Sequence, residues 1–181
     1  MKLTARLILM ILAALGRRRN YNIFEESVLR FVVMPWDCVL KFVGNDRYHA
    51  FMDIGRIDLI IRIGWWKIIW RHQWEPFVRT ADIRYRYPLR MFQRFTLRTR
   101  IIYWDEYHLW MEHSFERRGR TVAVAISKNL AKNKKGVVSI EEALRLLKRD
   151  IERPTCPLAV QIINDTEELL KTRQINNTLF G

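Results

Sequence analysis

Four stretches in the second half of the chain alternate apolar and polar residues with a period of two. Ala81, Ile83, Tyr85 and Tyr87 alternate with Asp82, Arg84 and Arg86, up to Pro88. Phe95, Leu97, Thr99, Ile101 and Tyr103 alternate with Thr96, Arg98 and Arg100. Tyr107, Leu109, Met111, His113 and Phe115 alternate with His108, Trp110, Glu112 and Ser114. Val122, Val124 and Ile126 alternate with Ala123, Ala125 and Ser127. Period two marks half-buried strands, and turns at Asp105-Glu106 and near Gly119 are short enough for an antiparallel meander.

Ahead of the meander the period changes. Val28 to Trp36 is β-branched and aromatic and predicts a strand ending at Pro35. A loop follows, with Gly44 as its hinge and Asn45 or Asp46 placed to cap the next element. Arg47 to Ile63 predicts a helix with Tyr48, Phe51, Met52, Gly55 and Leu59 on one face and Ile54, Ile57 and Ile61 widening it. A helix apolar over most of its circumference is buried on most sides. Gly64 is placed to end it, and Trp65 to Trp74 predicts a short helical cover. In the tail, Ser139 and Glu142 have capping-box spacing ahead of the stripe Ile140, Leu144, Leu147 and Ile151. Pro154 and Pro157 break that helix, and Leu158 to about Lys171 predicts a last amphipathic one. One apolar helix beside four one-faced strands predicts an α+β fold, a long antiparallel sheet wrapped around a single helix.

At 181 residues, with half of them apolar, the chain can bury a real core. Two distant cysteines, Cys38 and Cys156, make no disulfide framework, so a reducing compartment is expected. The net charge of +13 draws phosphate-bearing partners but is spread too evenly to select one. The run Leu7 to Leu15 is uninterrupted apolar, too short to span a bilayer, and is followed by Arg17-Arg18-Arg19. An interfacial helix on an anionic membrane is the expectation for residues 1–19, ahead of a helix packed on protein or a cleaved leader. The sequence shows no Gly-rich phosphate loop, zinc spacing or nucleophile elbow, so no cofactor and no metal are expected. Arg84-Tyr85-Arg86-Tyr87 fits aromatics facing a core and arginines facing solvent, so a nucleic-acid partner is not expected either. Among nucleophiles, Cys38 has no activating base beside it in sequence.

The order strand, loop, buried helix, meander resembles the hot-dog fold. The stretch PWDCVLKFVGNDRYHAFMDIGRIDLIIRIGWW resembles the segment of thioesterase-like hot-dog proteins that reads, loosely, PxDxDxxxHMNNxRYxxxMDxGR. The matching residues are Pro35, Asp37, Asn45, Arg47, Tyr48, Met52, Asp53, Gly55 and Arg56. The apolar start followed by arginines resembles the membrane-associated branch of that family. The resemblance implies a hot-dog domain, expected over residues 20–137, between the membrane-associating helix of 1–19 and the helical extension of 138–181 that the residues themselves predict. It implies a homodimer that binds acyl-CoA at its interface, with the thioester carbonyl near the helix N-terminus and a carboxylate acting as nucleophile or base. The two lone thiols and the apolar, then basic, start of the chain together lead to the expectation of a cytoplasmic protein held on the inner face of a membrane.

The chain departs from the pattern where the family carries its second Asp, a position that aligns with Val39 or Cys38. The family's His is replaced by Phe42 or Val43. Asp37 and Asp46 are then the catalytic candidates, with Asn45, Arg47, Tyr48 and Asp53 around the substrate. An Asp on the buried helix, Asp53, is the remaining carboxylate, and its spacing to Arg56 fits an ion pair. Two function classes follow. One is an acyl-CoA thioester hydrolase; the other is a non-catalytic acyl-binding protein that has lost the catalytic Asp.

Overall fold

The computed structural model describes residues 22–148 and 151–179, with side chains in the last helix up to residue 172. The expected N-terminal helix of residues 1–19 lies outside the described residues.

The central helix α1 spans Asn45–Ile63. It starts two residues before the expected Arg47, and neither Asn45 nor Asp46 caps it. The cap position belongs to Gly44, extended at φ −66° and ψ 147°, with no capping side chain. The Asp46 carboxylate folds back over Gly44 and occupies the space a β-carbon there would need. At the other end Gly64 sits at φ 93°, a left-handed conformation that glycine adopts without a steric penalty. The short helix α2, Trp65–Arg71, follows at once.

The sheet strands are β1 (Ser27–Val32), β4 (Glu75–Tyr85), β5 (Arg94–Trp104), β6 (Leu109–Arg117) and β7 (Arg120–Asn133). Their spatial order is β1-β5-β6-β7-β4, antiparallel throughout, and a two-residue strand β8 (Gly136–Val137) adds to β7. A separate hairpin pairs β2 (Cys38–Val39) with β3 (Phe42–Val43) in the loop before α1.

The concave face of the sheet carries Leu97, Thr99 and Ile101 from β5 and Met111, His113 and Phe115 from β6, all buried. On β7 the small residues Ala123, Ala125 and Ser127 point the same way, opposite Phe115, His113 and Met111. The larger Val124 and Ile126 lie on the other face and are only half-buried. The helix comes closest to the sheet at β5, where Gly55, having no β-carbon, sits over Thr99 and Leu97. A register shift between Ile101 and Tyr103 turns Trp104 into the core and leaves Tyr103 half-buried, against the simple alternation. Burying each of Phe51, Met52, Ile54 and Leu59 contributes on the order of 1.5–3 kcal/mol, which is what holds α1 in the sheet.

β4 starts at Glu75, ahead of the alternation that announced it, because β7 runs on to Asn133 and offers a partner that far. Ser139 caps α3 (Ile140–Leu146) by accepting a hydrogen bond from the Glu142 N–H at 3.2 Å, as its spacing implied. α3 is shorter than the expected stripe to Ile151. The last helix, α4 (Leu158–Leu179), lies on the convex face. There Glu167 accepts hydrogen bonds from Lys128 at 2.7 Å and Arg79 at 2.8 Å, and Lys128 rests over the Trp110 ring. These two cations hold the Glu167 carboxyl down at about 2.

Candidate active site

One stripe of α1 is not covered by the sheet. Ala50, Asp53, Ile57 and Ile60 recur at helical spacing and face a groove of about 470 Å³. Trp65 and Ile69 of α2 and Pro76, Phe77 and Val78 of β4 line it. Leu109, Met111, Leu130, Val138 and Ile140 complete the apolar lining. The lining is almost wholly apolar, as a site for a hydrocarbon chain requires.

Asp53 and Arg56 are the charged pair in that lining, joined by a direct hydrogen bond from the guanidinium to Asp53 Oδ1. Asp53 is about half exposed, at 54%, whereas the Arg56 side chain is only 13% exposed. Burial pushes the Arg56 guanidinium down to about 10. Asn129 also reaches the groove, and behind it runs a buried polar string. The Asn129 amide donates to the Leu109 and Ser127 carbonyls and to Ser127 Oγ. Ser127 Oγ is 3.1 Å from His113 Nε2, and His113 Nδ1 is 3.1 Å from Thr99 Oγ1. A neutral imidazole needs one donor and one acceptor, and two hydroxyls satisfy either tautomer. Burial, and secondly the nearby charge of Arg56, push His113 down to about 3, so the ring stays neutral at ordinary pH.

The loop carboxylates are placed otherwise. Asp37 is buried, and its Oδ2 accepts the Met34 N–H at 2.8 Å. Its main-chain carbonyl accepts the Gly44 N–H at 3.0 Å, so the residue fastens the loop to the start of α1. Asp46 is exposed and pairs with Arg47 at 3.2 Å. Asn45 and Arg47 flank the open N-terminus of α1. Tyr48 is in the core, edge-on to Tyr85 and Phe115, with its hydroxyl bonded by the Leu89 backbone. Of the six residues expected around the substrate, Asp53 alone lines the groove. It pairs with Arg56 as their spacing implied, and it lies on the open stripe of the helix because the sheet covers α1 on the Gly55 side. Burial and the charge of Asp37 raise the Cys38 thiol, the wrong direction for a thiolate nucleophile.

Sequence reasoning missed the buried Asp58. It takes a hydrogen bond from the Ser27 hydroxyl and another from Arg62 Nε at 2.5 Å. The i,i+4 spacing of Asp58 and Arg62 was the available signal, but it reads equally well as a surface pair. The His113 string was hidden for a similar reason, since Thr99 and Ser127 look like ordinary strand residues.

A central helix wrapped by a six-stranded antiparallel sheet in this order, with an apolar groove along the helix, defines a hot-dog protein. Residues 33–146 match the family model of the thioesterase-like superfamily, and the chain belongs to that family, whose general chemistry is thioester hydrolysis. It is 24% identical over 132 residues to "Probable thioesterase YBR096W" of Saccharomyces cerevisiae, covering 70% of this chain and 57% of the yeast protein. It is 24% identical over 135 residues to "Protein THEM6" of Drosophila melanogaster, covering 74% of this chain and 68% of that protein. The fold is shared with a gentisyl-coenzyme A thioesterase, BH1999, at TM-score 0.60 and 22% identity, over 66% of this chain and 99% of the other. It is shared also with a 4-hydroxybenzoyl CoA thioesterase bound to 4-hydroxybenzoyl CoA, at TM-score 0.61 and 15% identity, over 67% and 98%.

Proposed function

We propose that the chain hydrolyses acyl-CoA thioesters as a homodimer, with the acyl group in the groove along α1 and the Asp53 carboxylate beside the thioester. The observation that carries this reading is a carboxylate–guanidinium pair in a groove that is otherwise nearly all apolar. The apolar walls suit an acyl chain. Asp53 is open enough to meet a water or the carbonyl carbon, and Arg56 offers positive charge beside the developing oxyanion. Thiolate release leaves a free acid and CoA, and attack by water supplies the oxygen of that acid.

The free N–H groups at the start of α1 are natural oxyanion donors. Asn45 and Asp53 are eight residues apart, about 12 Å along the helix, so one carbonyl cannot touch both within one chain. A second protomer removes that obstacle. β4 is a long, exposed edge strand with Phe77 and Val78 uncovered, a surface that invites edge-to-edge pairing. Such pairing would lay a partner's α1 antiparallel beside the first and bring its N-terminus toward Asp53. The apolar run of residues 7–15 and its arginines support peripheral attachment to the cytoplasmic face of a membrane.

Steady-state hydrolysis of an acyl-CoA panel by the full chain tests the reading, with Asp53→Asn, Asp37→Asn and Asp46→Asn compared. Asp53→Asn is expected to lower kcat by about 100-fold or more, the usual scale for losing a general base. Unchanged turnover in Asp53→Asn, with loss in Asp37→Asn or Asp46→Asn, would move the chemistry back to the loop. An absence of turnover in the wild type, with tight acyl-CoA binding, would favour a non-catalytic acyl-binding protein. The Asp53–Arg56 pair leaves room for that second reading, because it already satisfies the carboxylate.

A further inference from the structure

The end of the fold around the β2–β3 hairpin exposes an apolar surface that the groove chemistry does not use. Leu40, at the hairpin tip, is 92% exposed, and Phe92, in the loop before β5, is 67% exposed. The two loops are tied together: Phe42 bridges to Arg90, the Val43 N–H bonds the Leu89 carbonyl, and the Phe92 N–H bonds the Val33 carbonyl. Val39, Phe42 and Trp36 are exposed beside them.

Both tips are held in an uncommon conformation. Leu40 sits at φ 60° and Phe92 at φ 61°. Positive φ is normally left to glycine, asparagine or aspartate, and a bulky apolar residue there is strained. The first central position of a two-residue hairpin turn with positive φ is where glycine is the usual occupant. Large hydrocarbon side chains kept in such positions, pointing into water, gain nothing for the fold and call for a partner.

Charge and shape say which partner. Residues 33–46 and 86–94 carry Lys41, Arg86, Arg90 and Arg94, all exposed, against two acids: Asp37, which is buried, and Asp46, which is exposed and paired with Arg47. The Arg90 guanidinium stacks over the Phe42 ring, at 5.5 Å from its centroid, so cation and apolar surface are interleaved. An isologous contact with a second copy would set these cations against themselves. Leu40 and Phe92 protrude at loop tips, and among the described residues neither lines the groove along α1. Along β1 the surface continues through Val28 and Val32, on either side of Arg30, while α4 meets the convex face at Lys128 and at Arg79 of β4.

We propose that this end of the molecule is a lipid-docking surface: Leu40 and Phe92 enter the headgroup–acyl boundary of an anionic bilayer while Lys41, Arg90 and Arg94 engage its phosphates. The contact is distinct from residues 1–19 and independent of whether the groove hydrolyses thioesters. It also gives a bilayer-held chain a fixed orientation, with the loop before α1 against the surface.

The test uses the full chain with Cys38→Ser and Cys156→Ser and a single thiol at Leu40→Cys, carrying a polarity-sensitive fluorophore. Vesicles are of phosphatidylcholine alone or of equal parts phosphatidylcholine and phosphatidylserine, each made with and without lipids brominated near the headgroup end of the chains. The expected result is a blue shift and bromine quenching with the phosphatidylserine vesicles only, reversed by high salt. A second label at Phe92→Cys should behave alike and serves if the first variant folds poorly. In the unlabelled chain, Lys41→Gln with Arg90→Gln should weaken vesicle partition by about tenfold, since juxtamembrane cations dominate attraction to anionic leaflets. Sedimentation with vesicles while both probes stay in water would overturn the proposal and leave attachment to residues elsewhere. A spectral change that follows protein concentration without vesicles would overturn it in favour of contact between copies, and a chain that binds neither vesicle would overturn it outright.

Discussion

The α-carbon of Gly55 stands directly over the Thr99 hydroxyl, so that a β-carbon at residue 55 would overlap Thr99 Oγ1 and press on Leu97. This contact sets how deeply α1 lies in the sheet. It also fixes the other side of the helix, the Asp53 stripe, as the open wall of the groove. Gly55→Ala should cost about 1–3 kcal/mol by overpacking, against the slight gain Ala gives in a free helix. At roughly 2–4 °C per kcal/mol for a chain of this size, thermal unfolding should show a clear drop. Gly119→Ala is the comparison, because among the described residues, chain neighbours aside, nothing lies within 4 Å of a β-carbon there and the φ of 73° is what is at stake. Wild-type stability in Gly55→Ala would mean that the helix stands off the sheet.

His113 makes the fold acid-sensitive. The unfolded imidazole titrates near 6.5 and the folded one at about 3, so between these values the unfolded chain binds a proton that the folded chain refuses. Stability should therefore be flat above about pH 6.5 with respect to this group and fall as pH drops toward 3. The slope approaches about 1.4 kcal/mol per pH unit. His108 is lowered too, by burial first, and adds in the same direction. The depressed carboxyls of Glu167 and Asp105 lose their contribution only at lower pH, through the carboxylate range. Urea unfolding from pH 7 to 4.5 should thus be steeper for the wild type than for His113→Gln, which keeps hydrogen-bonding capacity without titrating. Equal pH profiles would show that the ring accepts its proton in place.

Asp58 is the buried charge on which the far half of α1 depends. It is fully buried, Arg62 is 7% exposed, and both the Ser27 hydroxyl and the Arg62 guanidinium donate to one of its oxygens. Asp58→Asn keeps the shape but takes away the counter-charge of a buried cation, at a cost of about 3–5 kcal/mol. That is a large share of the 5–15 kcal/mol typical of a whole domain, so the variant should unfold at markedly lower urea. Asp58→Leu with Arg62→Leu should recover most of the loss, because an apolar pair of similar volume replaces a buried ion pair at little cost. A double variant as weak as the single one would show that the ion pair itself supplies stability.

The fold was legible where one period dominates a whole element. The alternation around Leu97 and Met111 and the nearly all-round apolar α1 each allow one placement, and the order of elements follows. The ends were less legible because neighbours decide them. β4 reaches back to Glu75 only because β7 runs on to Asn133, and Trp104 turns inward only because the sheet shifts register after Ile101. The site was legible in its residue types and not in its geometry. Asp37 and Asp46 lead to the helix N-terminus in sequence, but one carboxylate turns into its own loop and the other turns out to Arg47. Asp53 was weighed as the partner of Arg56, which it is; that the pair stands on the groove wall depends on which side of α1 the sheet leaves open. No spacing along the chain encodes that.

The proposed dimeric site makes a prediction that one chain alone cannot satisfy. Asn45 is the first residue of α1, and its N–H is among those with no acceptor within the helix. Proline is favoured at that position, and the preceding Gly44 already has the extended conformation a following proline requires. Asn45→Pro should therefore remove one oxyanion donor and leave the helix intact, as circular dichroism would check. Asp53→Asn removes the carboxylate. Each variant by itself should be strongly impaired in acyl-CoA hydrolysis. If Asp53 of one protomer works with the helix start of the other, mixing and re-equilibrating the two variants should rebuild one complete site in each mixed dimer. Random exchange between equal amounts makes half the dimers mixed, so activity should return to about a quarter of wild type. If both groups served the same site within one chain, no mixture would restore it. Recovery that disappears on dilution, in step with loss of the dimer by light scattering, would tie the chemistry to β4 pairing; no recovery, with dimers plainly present, would put the carboxylate and the oxyanion donor in one chain and leave about 12 Å of helix to be explained by another donor.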